Sequence, residues 1–221
     1  MHDFKRSSGG DKYPGYDVLS KWSGPSWNEK TREVIRRRLA IAPEPRFFTA
    51  VEFETVNAIA ARIVPQPTTR PPIPVVALVD RKLDEGVMDG YRVPGMPRDA
   101  EAWRTGLRAL EAEAQSAYQT RFAALSGERQ DTLLHRAEAG ELNAPEWGTL
   151  SSKDFFKKRL ARDIVLAYYA HPTAWSEIGF GGPASPRGYV RLDFNERDPW
   201  EAAEADSDDD AAARWRNRHV R

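Results

Sequence analysis

The stretch TAVEFETVNAIAARIVP, residues 49–65, decides the fold class. Thr49 and Glu52 form a T-x-x-E capping box, in which the side chain and backbone of each residue satisfy the other's free helix-end groups. Phe48, just ahead of the cap, is placed to staple against Phe53. Val56, Ile59, Ala60 and Ile63 then recur at i, i+3, i+4 and i+7, the spacing of one helical face, until Pro65 stops the helix. The same signals recur on both sides. Upstream, Trp27 to Leu39 reads as a helix with Ser26 as N-cap and Val34, Ile35 and Leu39 on one side, ended by Pro43 and Pro45. Downstream, PQPTTRPPIP is an extended connector or, less simply, a docking site for a proline-recognition module. A short helix from Pro74 to Leu83, with Gly86 as cap, precedes a long one from Asp99 to Leu125 whose stripe is Trp103, Leu107, Leu110, Ala114, Ala117 and Phe122. Ser126 opens the next helix, with Leu133 and Leu134 inward and Gly140 at its end. Ser152 opens the last, where Phe156, Leu160, Ile164 and Ala167 descend one face before Tyr168, Tyr169 and His171-Pro172.

No segment alternates with period two and no repeat is present, so the expected fold is all-α. It is a single helical domain with long irregular N- and C-terminal arms. Residues 1–45 are an N-terminal arm with one helix, 46–170 the helical core, 171–200 an arm rich in Gly, Pro and aromatics, and 201–221 a charged tail. Residues before about 25 are expected to lack regular structure, and the tail, acidic and then basic, to be disordered or peripheral.

At 221 residues the chain holds an ordinary core. Lys plus Arg equals Asp plus Glu at 33 each, which gives no field toward nucleic acid or membrane. No cysteine is present, so thiolate-bound clusters, disulfides and thioether haem are excluded from this chain. No apolar run approaches the roughly 18 residues of a membrane span, and MHDFKRSSGGDKYPGYDVL lacks the apolar stretch of a signal peptide. Arg36-Arg37-Arg38 reads as the basic face of a helix.

Residues 168–192, YYAHPTAWSEIGFGGPASPRGYVRL, carry the strongest functional signal. Glycine and proline fix turns outside helix and strand, and aromatics kept within such turns need burial, against the chain's own helices or against a partner. GFGGPASPRG is not a nucleotide loop. A G-x-G-x-x-G frame from Gly179 puts Ala184 at the third glycine, no strand precedes it, and the G-K-[ST] of a phosphate loop is missing. His2, His135, His171 and His219 are scattered, and the Asp206–Asp210 run lacks the glycine and glutamate of a calcium loop. No catalytic, cofactor-binding or metal-binding residues are assigned. Of the seven tryptophans, Trp103 and Trp147 read as core; Trp22, Trp27, Trp175, Trp200 and Trp215 lie near irregular segments and divide between packing and interface anchoring.

A helix ending in YYAHP, a W-x-E-x-G-F-G-G-P turn and a P-x-G-Y close, together with the upstream RFFTAVEFETVNAIAARIVPQP, resemble the gluconate 2-dehydrogenase subunit 3 (gamma-subunit) family over roughly Arg46 to Leu192. The resemblance implies a non-catalytic small subunit that binds, and stabilises or matures, a large FAD-dependent dehydrogenase of the glucose–methanol–choline class acting on sugars, sugar acids or polyols. It places FAD in the partner, with a separate cytochrome or other electron acceptor, and points to Tyr168, Tyr169, His171, Trp175, Phe180, Arg187 and Tyr189 as partner-binding residues. It leaves the compartment open between a periplasm reached by co-export and the cytoplasm. Two other readings stand beside it: a free-standing helical enzyme or ligand-binding domain using His171, Glu177 and Arg187, and a general adaptor without a redox partner.

Overall fold

A computed structural model describes residues 11–90, 93–184, 188, 191, 196–205 and 210–220. Among these the fold is all-α, with no strand. The helices are α1 (Glu29–Leu39), α2 (Ala50–Ile63), α3 (Val75–Asp84), α4 (Asp99–Tyr118), α5 (Gly127–Ala139), α6 (Ser152–Phe155), α7 (Ala161–Tyr169), α8 (Pro172–Glu177) and α9 (Asp210–Arg218). The chain forms two compact units, Ile41–Tyr168, and Met1–Ala40 together with Tyr169–Arg221.

In the unit Ile41–Tyr168, α2 opens on the Thr49–Glu52 capping box with both reciprocal bonds made. Phe48 is buried and sets its ring edge-on to Trp103, 5.5 Å between centroids. The turn ahead of α2 is held by a buried carboxylate. Asp80 of α3 accepts the backbone N–H groups of Arg46 (2.7 Å), Phe47 (3.1 Å) and Phe48 (2.7 Å). The proline-rich connector is likewise pinned, because Gln66 donates to Ile73 O (2.9 Å) and accepts from Ile73 N (2.6 Å). At the end of α3 the N–H groups of Val87 and Gly86 bond Lys82 O and Leu83 O, the six-to-one and five-to-two pair of a Schellman close.

Three sequence expectations change in this unit. α4 stops at Tyr118 rather than Leu125, because Gln119 turns left-handed (φ 57°) and Glu111 accepts Phe122 N–H (3.0 Å) across the reversal. Phe122 is still buried, but from the 3₁₀ turn Phe122–Ala124, while Ala117 is exposed. Ser151, not Ser152, caps α6, accepting Asp154 N–H (3.3 Å). The helix then widens into a π segment, Phe156–Leu160, before α7. The wider turn shifts the register, so Phe155, not Phe156, heads the buried face that continues through Leu160 and Ile164.

Phe155 packs edge-on to Trp103 (5.9 Å) and lies directly over Gly106 of α4. A Cβ at Gly106 would stand 2.3 Å from the Phe155 ring. Gly→Ala inside a helix ordinarily gains up to about 1 kcal/mol, but overpacking costs roughly 1–3 kcal/mol. Gly106→Ala is therefore expected to lower the denaturation midpoint, and a raised midpoint would refute this packing.

In the other unit, α1 is capped by Asn28, whose side chain accepts Thr31 N–H (2.9 Å), rather than by Ser26, which is buried. The described part of the N-terminal arm, from Asp11 on, is not unstructured, while residues 1–10 lie outside the described residues. Val18–Lys21 form a 3₁₀ turn, and Tyr16, Val18 and Trp27 join Ile35, Trp175, Ala202 and Val220 in one apolar core. The described residues of the tail, 201–205 and 210–220, are ordered as well. In α9, Asp210 stands in the first turn and Arg216 and Arg218 in the last, the order that suits the helix dipole. Asn217 is buried and ties α9 down, accepting Ala203 N–H (2.7 Å) and donating to Ala203 O (2.9 Å) and Pro14 O (3.0 Å).

Candidate functional site

The segment from Tyr169 to Gly182 is built around Trp175. Pro172 starts α8 at a position where a missing N–H costs nothing. His171 precedes it as the N-cap: its Nδ1 accepts Thr173 N–H at 3.3 Å. His171 therefore serves the start of α8 rather than the carbonyls that end α7. Burial, and then the Arg38 cation, pull its pKa below the ordinary histidine value. The neutral ring is the capping form, so its contribution is complete above about pH 6.5 and is lost as the pH falls through the depressed value. Ser176 links α8 to the N-terminal arm, its Oγ accepting Val18 N–H at 3.0 Å.

Trp175 is 4% exposed. Its Nε1 donates to Tyr169 O (2.7 Å), its ring meets Phe180 edge-on (5.7 Å), and the Arg38 guanidinium lies over it at 5.6 Å. Arg38 also donates to Ala170 O (2.9 Å). The triplet read as a basic helix face thus contributes one arginine to the inside of the unit. The turn after α8 closes by Phe180 N–H bonding Trp175 O (2.9 Å). Gly182 (φ +69°) then passes between two tryptophans, where a Cβ would stand 3.2 Å from both Trp175 and Trp27. Glycine is required there for its conformation and for the close approach.

The residues marked in the sequence divide accordingly. Trp175 and His171 lie inside and position the segment, whereas Tyr169 (44% exposed) and Phe180 (39%) present apolar surface to solvent. Ile178, 44% exposed beside them in sequence, was not singled out by sequence reasoning; it follows α8 directly. Tyr168 is buried. Arg187 and Tyr189 lie outside the described residues. Of the trio His171, Glu177 and Arg187, the described pair offers one histidine whose Nδ1 is already committed to the α8 cap. Among the described residues no group of three or more His, Asp or Glu side chains is arranged to hold a metal ion, and no helix is long and apolar enough to cross a membrane.

A family model described as gluconate 2-dehydrogenase subunit 3 matches residues 50–182, more than half of the chain. The chain belongs to the gluconate 2-dehydrogenase subunit 3 family. The match opens on Ala50, the first residue of α2, and closes on Gly182, the glycine wedged between Trp175 and Trp27. As a subunit 3 member the chain is one component of a larger complex. No curated protein and no solved structure matches it. Helices α1 and α9 lie outside the matched range.

Proposed function

We propose that this chain is the non-catalytic small subunit of an FAD-dependent dehydrogenase, binding a large subunit of the glucose–methanol–choline class and stabilising or maturing it. The family match over residues 50–182 carries the reading. The exposed apolar side chains Tyr169, Ile178 and Phe180 support it, because they stand on a segment whose inner side is fixed by Trp175, His171 and Gly182. A preformed docking segment has less ordering cost on association, and aromatics are the side chains that most often anchor interfaces. The hydride chemistry on sugars, sugar acids or polyols then belongs to the flavin of the large subunit, with a separate cytochrome or other acceptor taking the electrons.

Purified alone, the chain is expected to be colourless and without sugar-oxidising activity. Co-expressed with its large subunit, it is expected to co-purify with a flavoprotein that is less soluble or less flavin-loaded in its absence. A yellow, turnover-competent preparation of this chain by itself would overturn the proposal in favour of a free-standing enzyme. Failure to pair with any flavoprotein would leave the adaptor reading in its place.

A further inference from the structure

Helix α9 shows a second surface, outside the family-matched range. At 3.6 residues per turn, the buried Ala213, Asn217 and Val220 fall on one side of the helix and its C-terminal turn. The opposite ridge carries Ala211, Ala212, Trp215, Arg218 and His219, all exposed, with Arg216 on its flank. Trp215 is 63% exposed, the highest value among the described large apolar side chains that stand in solvent. It is held rather than loose: its ring lies 4.5 Å from that of His219, whose Nδ1 is 2.7 Å from Trp215 O. The three hydrogen bonds of Asn217 fix the ridge against Pro14 and Ala203.

The charges on the ridge tell what fits it. Arg214 pairs with Asp210, while among the described residues Arg216 and Arg218 form no ion pair. They stand at the negative end of the α9 dipole, which stabilises them in place. The hollow beside the ridge, about 550 Å³, has mixed signs: Glu196, Asp198 and Glu201 alternate with Arg197 and Arg216. A polyphosphate chain or an anionic membrane would meet those carboxylates with repulsion. A protein surface, with acids opposite the free arginines and bases opposite the carboxylates, complements both. Tryptophan and arginine are also the residue types that dominate protein–protein binding energy.

We infer that the Trp215 ridge of α9 is a second docking surface for the large flavoprotein subunit, whose indole-sized pocket carries acids opposite Arg216 and Arg218 and bases opposite the carboxylates of the hollow. This rests on the subunit reading above. Because α9 lies beyond the segment that defines the family, the contact acts as a selectivity element. It favours this chain's own large subunit through matched charges and disfavours others through unmatched ones.

The test uses the tagged full-length chain co-expressed with its large subunit, reading flavin eluted per chain at low and high salt. Wild type is expected to retain the flavoprotein and to release part of it as salt rises. Trp215→Ala with Arg216→Glu should reduce retention about tenfold or more, with melting lowered only slightly, because both side chains are exposed, although the stabilising contact of Arg216 with the helix dipole is lost. Arg216→Lys should keep most of it, and Arg216→Glu alone should weaken pairing and flatten its salt dependence should the double variant fold poorly. Equal retention by wild type and the single and double charge-reversed variants overturns the inference while leaving the subunit reading intact. Loss of co-purifying RNA or of anionic-vesicle binding, with flavoprotein retention unchanged, overturns it in favour of a polyanion. A wild-type chain that retains no flavoprotein fails the subunit reading itself, and the inference with it.

Discussion

Replacing Asp163 by alanine is expected to destabilise the unit Ile41–Tyr168 by about 3 kcal/mol, the lower end of what breaking a buried ion pair costs. Asp163 lies on the buried face of α7 and accepts the Trp103 indole N–H at 3.0 Å. Lys82 reaches its other oxygen at 3.3 Å, and Arg159 lies 3.4 Å away. Arg159 is 4% exposed and cannot regain water when its partner is removed, although Asp99 at 2.7 Å and Asp89 at 3.6 Å still face it. Those remaining acids are why the expected loss sits at the lower end. Asp131→Ala provides the comparison. Asp131 pairs with Arg62 at the surface, both side chains being about one-third exposed, and such pairs contribute roughly 0–1 kcal/mol. Denaturant midpoints of the two variants measure the difference; equal losses would refute a buried network. The network also sets an acid limit. Burial acts to raise the Asp89 carboxyl, but Lys82 and Arg162 outweigh it and hold the group below the ordinary range. Its contribution is full above about pH 4 and is lost as the pH falls through the depressed value.

The helices of the unit Ile41–Tyr168 were legible because each announces itself locally, whereas α8 and α9 lie in segments read as an irregular arm and a tail. A capping box, a proline stop and an i, i+3, i+4, i+7 stripe fix α2 from 17 letters. The buried acids were not legible. Glu111 and Glu113 fall outside the apolar stripe of α4, yet the half-buried Glu111 accepts from Thr55 Oγ1 (2.6 Å) and Phe122 N, and the buried Glu113 accepts from Ala144 N (2.7 Å) and the Trp147 indole (3.2 Å). Asp80 and Asp163 are similar: a carboxylate says nothing about its partners until the chain has folded. The extra residue of the π segment left no trace in composition, so the register of Phe155 and Phe156 was misread by one position. Terminal segments were misjudged for a related reason. Low apolar content in the tail suggested a disordered or peripheral segment, but the buried Asn217, with Ala203, Ala213 and Val220, holds one side of α9 down. Acids ahead of basics in Asp210 to Arg218 were the readable signal for α9. In the family segment the sequence located the aromatics but not which of them faces inward.

Trp175→Ala is expected to cost about 3–5 kcal/mol of stability in the unit that contains it, the range for a buried aromatic truncated to alanine. Gly182 packs so closely that a Cβ there would stand 3.2 Å from both Trp175 and Trp27. The truncation also removes the indole N–H that holds Tyr169 O, the edge that orients Phe180 and the face under Arg38. Both exposed aromatics of the proposed docking segment would lose their support together, so pairing with the large subunit should fall as well. Phe180→Ala separates the two effects. At 39% exposure its truncation should move the melting temperature of the isolated chain little, while weakening co-purification by about tenfold or more if it anchors the interface. The expected pattern is therefore a Trp175 variant that melts early and pairs poorly, beside a Phe180 variant that melts normally and pairs poorly. A Trp175 variant that melts like wild type would remove the tryptophan from the core. A Phe180 variant that pairs like wild type would move the large-subunit contact away from the turn after α8 and leave the Trp215 ridge as the surface to examine.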